Sequence, residues 1–212
     1  MSQTTSRRSH WRASTAAGIS AVALAGTLAL SAGLVPAGAA AVKPAAPRSH
    51  AFSFKLVPAP GIKACLPHAG GNATITPGHL NDTMTVSVHG MPPNTGFDLF
   101  VIQQPLKPFG VSWYQTDVDT NAYGSGSATV RGVFDVETFS VSPGGTVTFA
   151  PTHQYHLGLW FNSPSVPFKL GCEAGATTPI VTPFNGEQHA GVQVLNTSNF
   201  SVAKGPLSHV HR

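Results

Sequence analysis

Residues 83–90 read Thr-Met-Thr-Val-Ser-Val-His-Gly, and the alternation in them decides the fold class. Met84, Val86 and Val88 take every second position, with Thr83, Thr85, Ser87 and His89 between them. Successive side chains of an extended chain point to opposite faces, so this is a strand with one face for a core and one for water. A slip of one residue would put all three apolar side chains in water, which fixes the register.

Working outward, the same period of two returns in short runs separated by Pro, Gly, Asn and Asp. The runs are FSFKLV (52–57), ATIT (73–76), FDLFVIQ (97–103), VSWYQTDV (111–118), SATVRGVF (127–134), ETFSV (137–141), TVTF (146–149), YHLGLWF (155–161) and GVQVLN (191–196). Short strands closed by turn residues point to an antiparallel all-β domain. Charged residues are only 9% of the chain, against 22 Gly and 18 Pro, a balance that disfavours long solvated helices. The expected fold is a single antiparallel β-sandwich, immunoglobulin-like or jelly-roll, of eight to ten strands with little helix, over residues 52–200.

Two passages carry a resemblance. VSVHGMPPNTGFDLFVI (86–102) resembles the strand, Gly-x-Pro-Pro-Asn-Thr turn and strand of fibronectin-like and other immunoglobulin-like sandwiches, and QTDVDTNAYGSGSATV (115–130) resembles hairpins of secreted bacterial sandwiches. From HLGLWFNSP (156–164) to NGEQHAGVQVLNTSNF (185–200) the chain is similar to exported bacterial proteins of unknown activity. The resemblance implies a fold and an exported setting, and no chemistry.

The N-terminal end reads as a processing signal. Arg7, Arg8 and Arg12 precede the apolar run AGISAVALAGTLALSAGLV (17–35), and small residues follow near 37–41. Residues 1–41 are therefore expected to be a signal peptide, 42–51 an Ala/Pro-rich linker and 201–212 a flexible tail. SRRSHWR (6–12) resembles the twin-arginine export signal with His10 where Phe is usual, so both that route and the general secretory route stay open. After signal cleavage no membrane span is expected. From Val42 onward nine Lys and Arg stand against eight Asp and Glu, a net charge of +1, which removes the electrostatic case for a nucleic-acid partner. Cys65 and Cys172 are the two cysteines, and in an exported chain they are expected to form one disulfide.

Candidate sites are few. THQYHLGLWFNS (152–163) sets His153 and His156 three apart, and on a strand that spacing turns them to opposite faces, against a chelating pair. A strand here gives Tyr155, Leu157, Leu159 and Phe161 to the core and His156, Gly158, Trp160 and Asn162 to the other face. An open second face would be a platform for a sugar or peptide, with Trp160 stacking. The expectation is instead that the connection from Ser163 to Ala190 covers it. Trp113, Tyr114 and Tyr123 are further aromatics expected on display.

His156, His189 and Glu187 are the alternative metal set, since three N and O ligands suffice for zinc or copper, but no His-Glu-x-x-His motif supports them. Asp117, Asp119 and Asn121 begin like a calcium loop, yet Ala122 and Ala128 occupy its Gly and Glu positions, so these side chains are expected to cap their own turn. Asp135 and Glu137 are two apart and read as solvated edge charges rather than a carboxylate pair. No Gly-x-Ser-x-Gly elbow or phosphate loop is present. The expected function is therefore an extracellular, non-catalytic binding or cell-surface-associated domain without cofactor or bound metal, whose partner class is a cell-envelope glycan or protein. The alternative is a secreted hydrolase or metal-dependent enzyme built from Asp117, Asp119, His156, Glu187 and His189. Oligomeric state stays open.

Overall fold

The structure, a computed structural model, describes residues 50–134, 139–141, 147–149, 153–183 and 189–210. The signal, most of the linker, and Asp135, Glu137 and Glu187 lie outside the described residues.

Ten strands form in chain order: β1 (Phe52–Pro58), β2 (Gly70–Thr76), β3 (Asp82–His89), β4 (Gly96–Ile102), β5 (Ser112–Asp119), β6 (Gly126–Gly132), β7 (Phe139–Val141), β8 (Val147–Phe149), β9 (His156–Phe161) and β10 (Gln193–Asn196). Each falls on one of the alternating runs. Helix is confined to α1 (Ile62–Cys65), α2 (Ser165–Lys169) and two 3-10 turns, Val202–Lys204 and Pro206–His209. No described helix is long and apolar enough to cross a membrane.

All strand pairs are antiparallel, in the single order β6-β3-β2-β1-β10-β9-β4-β5-β7-β8. The expected two-sheet sandwich is corrected here, because β1 joins the two halves. Its residues Phe52–Leu56 pair with β2, and Val57 and Pro58 pair with β10. At the far side, β5 turns into β6 through a bridge between Thr120 and Gly126, bringing the two ends of an eight-stranded run side by side. The result is one nearly closed, barrel-like sheet carrying the β7–β8 hairpin. Alternation could not have told the two apart, since a barrel and a sandwich both turn every second side chain inward.

The enclosed core has contributions from β1 to β5 and from β9 and β10. Met84, Val86 and Val88 of β3 are buried, Ser87 and His89 are exposed, and Thr83 and Thr85 are half-buried. Opposite them Phe97 and Phe161 pack with ring centroids 5.0 Å apart. Asn121 holds the β5–β6 turn by accepting from the Tyr123 and Ser125 N–H groups at 2.9 and 3.2 Å, as a turn-capping Asn should.

Cys65 and Cys172 are bonded, with Cα atoms 5.1 Å apart, tying α1 to the connection that follows α2. Where a loose tail was expected from residue 201, the chain folds back. The Leu207 N–H donates to the Tyr155 carbonyl at 3.1 Å, and Leu207 and Val210 join the core. Isolated apolar residues in a Gly/Pro-rich stretch give no period to read, so their burial is decided by what they reach.

Candidate ligand-binding site

Cross-strand partners share a face of a sheet, so the register of β4, β9 and β10 defines which side chains meet outside the barrel. Trp160 pairs with Asp98 on one side and Gln193 on the other; Gly158 pairs with Phe100 and Asn196; His156 pairs with Ile102. The inner face of β9 carries Leu157, Leu159 and Phe161 into the core. Both faces of β9 are therefore buried.

Trp160 is fully buried, so its face is covered, as expected, and the open-platform alternative for stacking is not what forms. Its indole meets Phe100 at 5.5 Å and Phe109 at 5.0 Å, both edge-on. A Cβ at Gly158 would run into the indole and come within 2.8 Å of Gln193 Nε2, so glycine is what lets the ring lie close to the sheet. The cover includes Ala190, at the end of the connection expected to supply it, and Phe109 of the loop between β4 and β5. Gln104 N–H donates to the Phe109 carbonyl at 2.8 Å within that loop, Lys107-Pro108 is a cis bond, and Phe109 sits at φ 62°. A bulky residue in the left-handed region is a strained conformation that the surroundings must hold in place. Here it turns the phenyl ring onto Trp160.

His156 is likewise buried and has both ring nitrogens engaged. A carbonyl can only accept, so Nε2–H donates to Val202 O at 3.1 Å, and Nδ1 accepts from the Thr197 hydroxyl at 2.9 Å. Burial lowers its pKa below 6.5, over the opposing effect of backbone hydrogen bonds at Val202, Ser201 and Thr197. It pins the C-terminal segment to β9 and has no lone pair to give a metal. His153, at φ 55°, is exposed and bonds Tyr155 Oη at 3.0 Å.

The remaining candidates do not gather. Asn162 is exposed and donates to Asp98 Oδ1 at 3.1 Å. Asp117 and Asp119 are exposed on β5, where Tyr114 Oη donates to Asp117 at 2.8 Å; His189 is exposed on the connection before β10. No cluster of three His, Cys, Asp or Glu able to hold a metal occurs among the described residues. Trp113 and Tyr114 are 36% and 41% exposed beside a groove of about 220 Å³ between β5 and β6, and Tyr123 projects from the turn.

What the outer face does contain is a cavity of about 340 Å³ beside Trp160. Ala59, Pro60, Leu106, Phe109 and Val192 supply its apolar walls, and Lys107, Thr182 and Gln193 its polar groups. Sequence reading missed Gln193, which lay unremarked in GVQVLN. A register shift between Gln193 and Leu195 lets Val194 and Leu195 both enter the core while Gln193 turns outward. The available signal was an amide, Gln193, set between Val192 and Val194 in the apolar part of that run.

The orientation of that amide is set by a chain of partners. Ser198 N–H can only donate, and it donates to Asn196 Oδ1 at 2.9 Å, so Asn196 presents its Nδ2 to Gln193 and bonds Oε1 at 2.9 Å. Gln193 Nε2 is left without a hydrogen-bond partner among the described residues, on a side chain only 7% exposed. A buried donor left unsatisfied costs about 1 to 3 kcal/mol. Comparison with protein-family models and with curated proteins finds no match for the chain.

Proposed function

We propose that this chain is an extracellular, non-catalytic binding domain that holds a small molecule in the cavity beside Trp160. The observation that carries the reading is the cavity of about 340 Å³, with mostly apolar walls and a few polar side chains, Lys107, Thr182 and Gln193, the usual make-up of a small-molecule site. Asp117 and Asp119 pair with Asp98 and Gly96 on β4 while His156 pairs with Ile102 at the far end of that strand, which favours binding over the hydrolase alternative. The Cys65–Cys172 bond fits an oxidising compartment, and secretion after removal of residues 1–41 is the route we assign. The resemblance of residues 86–102 and 115–130 to exported bacterial β-domains supports that setting, while the barrel-like sheet departs from an immunoglobulin-like sandwich. The exposed Trp113 and Tyr114 beside the β5–β6 groove support a cell-envelope glycan or protein as a further partner.

Native mass spectrometry of protein recovered from culture medium tests the reading. A bound molecule should be released intact on denaturation, and peptidoglycan fragments or glycans incubated with the protein should be returned unchanged. Steady turnover of either would replace it with the enzyme.

A further inference from the structure

Resting on the binding reading above, we infer that the cavity takes a molecule carrying an aromatic ring, and that this ring displaces the Phe109 side chain from Trp160 and takes its place edge-on against the indole. Phe109 stands between the two. It lines the cavity, and it caps Trp160 with ring centroids 5.0 Å apart at an interplanar angle of 83°. Trp160 is held on β9 between β4 and β10 and stays in place. Phe109 belongs instead to a loop whose preceding residues, Leu106 to Pro108, are exposed, so the cover is the part that moves.

The backbone of Phe109 supplies the reason for exchange. At φ 62° it is in a strained conformation, held by the packing of its ring on Trp160 and by two hydrogen bonds. Its N–H donates to the Leu106 carbonyl at 2.9 Å, and its carbonyl accepts from the Gln104 N–H at 2.8 Å. An incoming aryl ring makes the same edge-to-face contact with the indole, so one contact replaces the other while the freed Phe109 relaxes to an ordinary φ. A ligand shifts a conformation only by interacting differently with its two forms, and relief of strain is such a difference. Gly110 follows at φ 70°, a residue that turns at little steric cost and serves as the hinge. The two hydrogen bonds break on the way, and because the loop is at the surface water takes their place. A saturated ring of the same size fills the space without the attraction between the edge of one ring and the face of the other.

The test titrates benzyl alcohol and cyclohexylmethanol into the dialysed, disulfide-bonded protein recovered from culture medium, with the Trp160 indole and the Gln104 and Phe109 amides followed by NMR. Benzyl alcohol should move the Trp160 signals and quicken hydrogen exchange at both amides, leaving those of β3 unchanged. Cyclohexylmethanol is the more apolar probe, so burial alone would favour it. The edge-to-face contact should instead make it bind about two- to tenfold more weakly than benzyl alcohol. F109G removes both the ring and the strain and leaves the place on Trp160 open, so it should tighten benzyl alcohol binding by about tenfold or more. The wild-type titration decides by itself if F109G fails to fold. Cyclohexylmethanol binding as tightly as benzyl alcohol overturns the aromatic assignment. Movement of Ala59 and Val192 signals at the cavity wall with Trp160 unmoved overturns the exchange and leaves a binding domain standing, as does an F109G protein that binds no more tightly than wild type. If no signal moves with either probe at millimolar concentration the inference falls, and the binding reading falls with it only if the recovered protein also carries no ligand.

Discussion

Strands β3 and β9 belong to one sheet and show the same period of two, yet β3 is covered on one face and β9 on both. The outward positions of β3 are Thr, Ser and His, and they meet water or cross-strand hydroxyls, as where Thr85 and Thr129 bond at 3.0 Å. Those of β9 are His156, Gly158 and Trp160, and each is buried beneath loops or beside neighbouring strands. Alternation therefore reports one buried face reliably. Whether the other is buried depends on segments far away in the sequence, and a covered outer face is where this fold keeps its polar groups out of water.

The largest effect that would break the contrast is on β3. Val86→Asp buries a carboxylate in the core and should abolish cooperative unfolding altogether, whereas Ser87→Asp should stay within about 0.5 kcal/mol of wild type, both read by urea titration. Equal damage from the two would mean that β3 is covered like β9.

Next comes the tie on the cover of β9. Reducing Cys65–Cys172, 107 residues apart, should cost about 4 to 5 kcal/mol in the chain-entropy account. Hydrogen exchange should quicken first around residues 163–183 and 189–192 rather than along β3. Trp160→Ala should cost about 3 to 5 kcal/mol by thermal or urea unfolding, as for a core truncation. A loss below 1 kcal/mol would show the outer face to be loosely covered.

The smallest effect is electrostatic. His156 has a folded-state pKa below 6.5, so the unfolded chain takes up its proton at higher pH than the folded one. Its contribution is complete above about pH 6.5 and is lost as pH falls from there toward the folded value. Melting temperature should drop more between about pH 8 and about pH 5 in wild type than in His156→Gln. Parallel slopes would mean that the ring is not buried neutral.

Against these contrasts, the legible parts of the sequence are the local ones. Every strand lies on an alternating run, and the disulfide joins the two cysteines that the sequence offers. What escaped reading depends on distance or on broken rules. Closure is decided by how β1 divides its partners between β2 and β10. Trp160 is covered by Phe109, a residue some fifty positions away whose backbone sits where a phenylalanine ordinarily does not. Gln193 faces the cavity because a register shift interrupts the alternation that would have placed it.

The place of β1 also sets an order of events. Its last residues have no neighbour on one side until Leu195 and Asn196 have been synthesised and brought back across most of the domain. Before then β1 and β9 each present an open edge, the kind of row to which other unfinished chains can add. Pairing across so long a separation makes for slow folding, commonly in roughly milliseconds to seconds. The nascent domain is thus most vulnerable to self-association in the interval before its last strand arrives, and a chain ending ahead of Gln193 would remain in that state.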